Sequence, residues 1–389
     1  MSLHPHWGHA DLLGTLAQAR ARDSLPAALL IHGARGVGKQ HLALWLGRLL
    51  LCQSPTSEGP CGACSSCKMA LKLEHPDLHW FFPLPRPKNA SSPEKLARAL
   101  EEARWEALKE LRKNPLRPTT GEGARSLYLA AAQTLRRQAQ NRPSMGERQI
   151  FIIAEAEALA PQSSSSEAAN ALLKLLEEPP SGTNLILTSA EPGRLLPTIR
   201  SRTTQLHLPP LQPEEVVSFL QEVMEVDQEE AQRVGALSHG AIGRALRLLP
   251  EADGPGPLER VRRQSATLLK AALAPTPQEI FTAALGFKTT GARSLMEILD
   301  FLEEWIRDLA LAASGEDGRF MNPDGERLFR EVLDGRRISP VRISHALEHL
   351  AEARTLASGN ANPQLLVFGL LQDLRRTLLN PSTPVPSEK

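Results

Sequence analysis

Three features of this 389-residue sequence predict an α/β domain on a parallel sheet, followed by helical units. Short apolar runs, "ALLI", "IFII" and "TNLILTS", alternate with helical segments as far as Pro209-Pro210, the pattern of parallel strands joined by helical crossovers. A glycine-rich loop separates the first of those strands from the helix behind it. Beyond Pro209-Pro210 the strand signals stop and only helical periodicity continues. The length itself calls for two or three domains.

Taken in order, residues 9–22 read as a helix with Leu12, Leu13 and Leu16 on one face. "AALLIHGARGVGKQHLALWLGRLLLC" runs strand, loop, helix, and the cysteine cluster follows. Residues 83–125 break the alternation and read as an insertion: a linker "PLPRPKNASSP", a charged helix, then "NPLRPTTGEG". The helix carries Leu96, Leu100, Ala103, Ala107 and Leu111 at helical spacing, a stripe expected to dock on the same chain. A helix within 126–141 leads to the strand "IFII", and "SSSSEAANALLKLLEE" is a helix opened by serines and stopped at Pro179-Pro180. The strand "TNLILTSA", a short helix and a last strand complete the alternation. The expected boundaries are therefore a core at 1–209, a small helical unit at 210–252, and a helical domain at 253–389 with a disordered tail "NPSTPVPSEK".

Lys and Arg number 45 and Asp and Glu 44, a net charge of +1, which gives no support for coating nucleic acid by bulk charge but leaves room for a local basic patch. The N-terminus lacks a secretion pattern and no apolar run nears the ~18 residues of a membrane span, so a cytosolic place is expected. The cysteines are Cys52, Cys61, Cys64 and Cys67, spaced C-x8-C-x2-C-x2-C. In a cytosolic chain that spacing predicts a structural Zn2+ held by four thiolates, with Pro60 and Gly62 permitting the turns. Incidental thiols or a redox pair are the alternative.

"GARGVGKQ", Gly33 to Gln40, matches G-x-x-x-x-G-K between strand and helix, a phosphate-binding loop in which Gly33, Gly36 and Gly38 let the backbone close and Lys39 reaches phosphate oxygens. The motif wants a magnesium-ligating hydroxyl after the lysine, and here stands Gln40. The strand "IFII" should end Asp-Glu to hold the same ion, and here stand Ala154 and Glu155. Two ligands of one ion are missing together. Hydrolysis by this chain alone is therefore not expected, while binding of ATP or ADP stays open.

"EAANALLKLLEEPPSGTNLILTSAEPGRLLPTIRSRTTQLHL", above all "NALLKLLEEPP" followed by "LLPTIRSR", resembles the bacterial DNA polymerase III clamp-loader subunits, which are AAA+ proteins. The knuckle behind the loop helix is similar to their zinc module. "GAIGRAL" resembles the AAA+ lid helix, and "FLEEWIRDL" and "GNANPQLLVFGLLQDL" resemble their C-terminal collar. The resemblance leaves out residues 83–125. It implies an AAA+ core with zinc knuckle, a helical lid and an all-α collar that serves oligomerisation. Of the family's two branches, gamma/tau carries Lys-Thr or Lys-Ser and Asp-Glu, from which this chain departs at Gln40 and Ala154; "HPDL" at 75–78 also fits delta-prime better.

That resemblance assigns roles. Ser201-Arg202-Thr203 stands for the family's Ser-Arg-Cys, so Arg202 would act in trans as an arginine finger in a neighbouring gamma/tau site. The alternative pairs Arg202 with a surface carboxylate. Arg244 would be the lid arginine that meets a γ-phosphate, or would only hold the lid, and Ser189 and Thr188 compete as the polar sensor at the strand end. The implied partners are gamma/tau and delta subunits, with sliding clamp and primed DNA reached through the assembled complex, and no membrane. Rival readings are an active gamma/tau-type ATPase and a zinc-containing nucleic-acid-binding protein with a decayed loop.

Overall fold

A computed structural model of the protein describes residues 6–87, 92–113, 125–159, 167–252, 254–287, 292–315, 320–333, 338–357 and 361–379. The serines expected to open the "NALLKLLEE" helix, the segment "NPLRPTTGEG" and the C-terminal tail lie outside the described residues. The chain forms two compact units, Met1–Glu225 with Gly240–Arg244, and Val226–His239 with Ala245–Lys389.

The first unit holds α1 (Ala10–Ala21), β1 (Ala28–His32), α2 (Lys39–Leu51), α3 (Ser65–Leu71), β2 (Leu78–Phe81), β3 (Leu84–Pro85), α4 (Pro93–Lys113), β4 (Arg125–Ser126), α5 (Leu129–Ala139), β5 (Gln149–Ile153), α6 (Glu167–Glu177), β6 (Thr183–Ser189), α7 (Pro197–Arg200), β7 (Thr204–His207) and α8 (Pro213–Glu222). Five strands form one parallel sheet in the order β2-β5-β6-β1-β7, with Leu29 opposite Ile186 and Ile152 opposite Ile186 across the central pairs. Successive strand residues alternate faces. Leu29, Ile31, Ile150, Ile152 and Ile186 bury against α1, α2 and α4, while Leu30, Phe151, Ile153, Leu185 and Leu187 bury against α5, α6 and α7. Burying both faces explains why the strands read as continuous apolar runs rather than as alternating ones. Each fully buried Leu or Ile here contributes roughly 1.5–3 kcal/mol.

The insertion helix docks as its stripe predicts. Leu100 and Leu111 are buried with Trp80, Phe82 and Leu84, and Leu96, Ala103 and Ala107 pack on the same cluster. Not anticipated were α3, hidden within the cysteine segment, β2, a four-residue strand that among the described residues pairs with β5, and the antiparallel β3–β4 pair, Leu84 opposite Ser126, at the two ends of the segment read as an insertion.

The second unit contains α9 (Gln228–Leu237), the end of α10 (Ile242–Leu248), α11 (Pro257–Leu273), α12 (Gln278–Leu285), α13 (Ala292–Ala313), α14 (Glu326–Leu333), α15 (Pro340–Ala357) and α16 (Pro363–Leu379). Proline sits in the first turn of several of these helices, where its missing N–H costs nothing. Helix α13 packs on α11 and α15, and α16 on α11 and α15, around Leu268, Phe301, Leu302, Leu350 and Leu371. Arg262 is buried in this unit and donates to Glu259, Asn322 and Asp324, so its charge is paired rather than stranded.

Candidate functional site

The glycine loop is folded tightly between β1 and α2. A Cβ on Gly33 would lie 2.2 Å from the Leu208 carbonyl oxygen, so only glycine fits there. Gly36, at φ +82°, accepts the Gly243 N–H at 2.8 Å, and a Cβ on it would meet the Arg244 nitrogen at 2.9 Å. Thus the start of α10 packs on the loop through backbone, with Arg244 at that contact.

Lys39 turns back on its own loop, donating from Nζ to the Gly33 and Ala34 carbonyls at 2.8 and 2.7 Å. Burial lowers its pKa to about 8, with Glu157 and Glu155 acting in the opposite direction. The next side chain, Gln40, offers no hydroxyl, and β5 is followed by Ala154, whose methyl lies wholly inside the core. These two residues do not fit a magnesium ion. Glu155 follows with a left-handed backbone (φ +50°), and its N–H donates to Thr188 Oγ1 at 3.3 Å. Ser189 Oγ instead accepts from the Glu191 N–H at 3.1 Å, so of the two sensor candidates Thr188 is the one tied to the end of β5. Glu157 was not singled out from sequence. It is buried, and its Oε1 accepts the Ala190 N–H at 3.3 Å. The only signal for it is the alternation Ala-Glu-Ala-Glu after the strand.

Arg202 sits between α7 and β7. Its Nε donates to Glu177 Oε1 at 2.5 Å, its Nη2 pairs with the same oxygen, and its Nη1 donates to the Thr198 carbonyl at 2.9 Å. The guanidinium keeps 31% of its side-chain surface exposed. Within the single chain Arg202 is therefore paired with a surface carboxylate, and Glu177 is the partner that sequence reading missed. Thr203 is buried and donates its hydroxyl to the Ile199 carbonyl at 3.1 Å, a contact to the end of α7.

The four cysteine sulfurs lie within 4.8 Å of one another, and Cys52 Sγ is 4.0 Å from Cys64 Sγ. A tetrahedron with Zn–S bonds of about 2.3 Å has edges of about 3.8 Å, so the donor set fits a thiolate-bound Zn2+. Backbone N–H groups of Cys61, Cys64 and Cys67 donate to the sulfurs of Cys52, Cys61 and Cys64 at 3.3, 3.4 and 3.4 Å. The N–H groups of Cys64 and Ala63 lower the Cys61 pKa to about 6, toward the anionic form a metal needs, whereas burial pushes Cys67 up to about 12 and raises Cys52, so those two thiols would ionise only against a bound cation. The knuckle leans on α2: a Cβ at Gly59 would strike the Trp45 ring at 2.8 Å. Behind it, the "HPDL" segment is a clamp. Asp77 accepts from the Ser144 and Met145 N–H groups at 2.5 and 2.8 Å, fixing the turn that leads into β5.

The profile of the family described as DNA polymerase III, delta subunit matches residues 8–212, more than half of the chain. The Pseudomonas aeruginosa DNA polymerase III subunit delta' is 31% identical over 290 residues, 74% of this chain and 73% of that protein. The Escherichia coli K12 subunit delta' is 29% identical over 57% of this chain and 54% of its own length, so this chain spans about half of it. The E. coli K12 subunit tau is 26% identical over 64% of this chain and 32% of itself. Among the described residues no helix is long and apolar enough to cross a membrane.

Proposed function

The chain belongs to the DNA polymerase III delta-subunit family, as a delta-prime member of the clamp-loader proteins, and on that premise we propose that it is a non-hydrolysing loader subunit that serves a neighbour's ATP site through Arg202. One observation carries the reading. The chain lacks both magnesium ligands at its own loop, Gln40 and Ala154 standing in their places, yet it keeps a partly exposed, backbone-anchored guanidinium at Arg202.

In the neighbour's site, a gamma/tau subunit in this proposal, a water oxygen bonds to the γ-phosphorus as the bond to the β–γ bridging oxygen breaks, releasing ADP, phosphate and a proton. Arg202 would neutralise charge on the transferred group, an effect on the order of 10³–10⁵ in rate in other phosphoryl-transfer sites. Its own Lys39 loop would at most hold ATP or ADP without turnover, with Arg244 at the lid contact. The Cys52, Cys61, Cys64 and Cys67 cluster would hold a structural Zn2+, since it offers four thiolates and no open position. The second, helical unit would join the collar with gamma/tau and delta subunits. Sliding clamp and primed DNA would be met through the assembly, in the cytoplasm.

The test is the clamp- and primed-DNA-stimulated ATPase of the loader reconstituted with this chain, comparing wild type with Arg202→Ala after native mass spectrometry has shown that both assemble. Loss of a large share of the rate is expected. An unchanged rate would leave the subunit a scaffold and end the trans-acting reading.

A further inference from the structure

We propose that Glu177 is the positioning residue for Arg202, an inference that rests on the trans role proposed above. A guanidinium has five N–H donors in a fixed plane. Here Nε and Nη2 are engaged by the Glu177 carboxylate, and Nη1 by the Thr198 carbonyl at 2.9 Å. That leaves one donor on Nη2 and a second on Nη1, which reaches only Ser201 Oγ at 3.5 Å. Glu177 therefore grips the guanidinium from its Nε side, and the remaining donors form the fork that a phosphoryl group would meet.

The grip is built on rigid parts. Glu177 ends α6 directly after Leu175 and Leu176, both buried in the core under the sheet. Thr198 belongs to α7, which Ile199 anchors in the same core, and Thr203 on the other side of Arg202 is buried too. What remains to be fixed is the torsions of the two side chains, and the ion pair with the Thr198 carbonyl holds them together before a partner arrives. Ordering a catalytic group beforehand removes an entropy cost from the reaction, and misplacement by about 1 Å can cost on the order of 10²-fold in rate. The pair is too exposed, at 31% and 46%, for stability to be its main use.

The test uses the reconstituted loader with Glu177→Ala, Glu177→Gln, Arg202→Ala and the Glu177→Ala/Arg202→Ala double variant, each checked for assembly and melting temperature. If Glu177 positions the finger, Glu177→Ala lowers the stimulated kcat at least several-fold, with KM for ATP and melting temperature unchanged. Glu177→Gln, which keeps an acceptor oxygen, recovers part of the loss. The double variant is no slower than Arg202→Ala alone, because the two residues act as one unit. A Glu177→Ala rate at or above wild type would overturn the inference, since the carboxylate would then restrain the arginine or do nothing. So would losses that simply multiply in the double variant. If Arg202→Ala itself runs at full rate, the trans role fails, and this inference with it; a slow Arg202→Ala beside an unaffected Glu177→Ala sinks the positioning role alone.

Discussion

His79 lies on β2 with its ring stacked on Phe151 at 4.7 Å. Burial, and then the nearby Arg104 cation, lower its pKa to about 4. Its unfolded value is 6.5, so between pH 6.5 and 4 the unfolded chain binds a proton that the folded chain refuses. Stability from this group is thus complete above pH 6.5 and is lost as pH falls toward 4, by at most about 3 kcal/mol. His6, also held at about 4 by burial, adds a loss of the same sign. Thermal melts at pH 7 and pH 4.5 should show a marked drop for wild type and a smaller one for His79→Phe; equal drops would mean that His79 ionises freely in the fold. Residues of this kind divide by how they could be read. Lys39, Gln40 and Ala154 were legible because a fixed spacing defines what each position must do. Glu157 and Glu177 were not, since their significance lies in Ala190 and Arg202, which stand 33 and 25 positions away and meet them only in space.

Among elements, the cysteine knuckle was legible from spacing alone, because metal ligands need fixed short steps, and the structure gathers all four sulfurs. Its energetic meaning can be tested. The loop rests on Trp45 through Gly59 and carries two buried ligands, Cys52 and Cys67, so the metal would hold a packed element and not a free tip. Purified wild type should contain one zinc per chain by plasma emission spectrometry, and Cys67→Ser much less, with a melting temperature several degrees lower. Cys67→Ser with undiminished zinc would show that the metal sits elsewhere. The α4 stripe was equally legible, five apolar positions at helical spacing all meeting one cluster. β2 was not. Four residues, "LHWF", are too few to reveal a period, and their strand state depends on pairing with β5, seventy residues on.

At the scale of the whole molecule, proline and glycine punctuation suggested boundaries near 209 and 252. The assignment of Gly240–Arg244 to the first unit depends instead on backbone contacts with Leu211 and Gly36, which no local signal encodes. Charge is different, being fully legible: 45 basic against 44 acidic residues. The fold does not segregate that balance along α4, its most charged helix, where Arg104, Lys109 and Lys113 pair with Glu101, Glu106 and Glu110. DNA affinity rises with the number of phosphates neutralised, and each one steepens the salt dependence of log K by about 0.9. A chain with net charge +1, with Lys109 and Lys113 of α4 paired, should neutralise few. The isolated protein is therefore expected to bind primed DNA only weakly at physiological salt, with a slope of log K against log salt shallower than about −2. The reconstituted loader should bind the same DNA more tightly and more steeply. Fluorescence anisotropy across a salt series reads both. A slope near −4 or beyond for the isolated chain would mean that about four or more phosphates contact it directly, and would move the DNA-binding surface from the assembly onto this subunit.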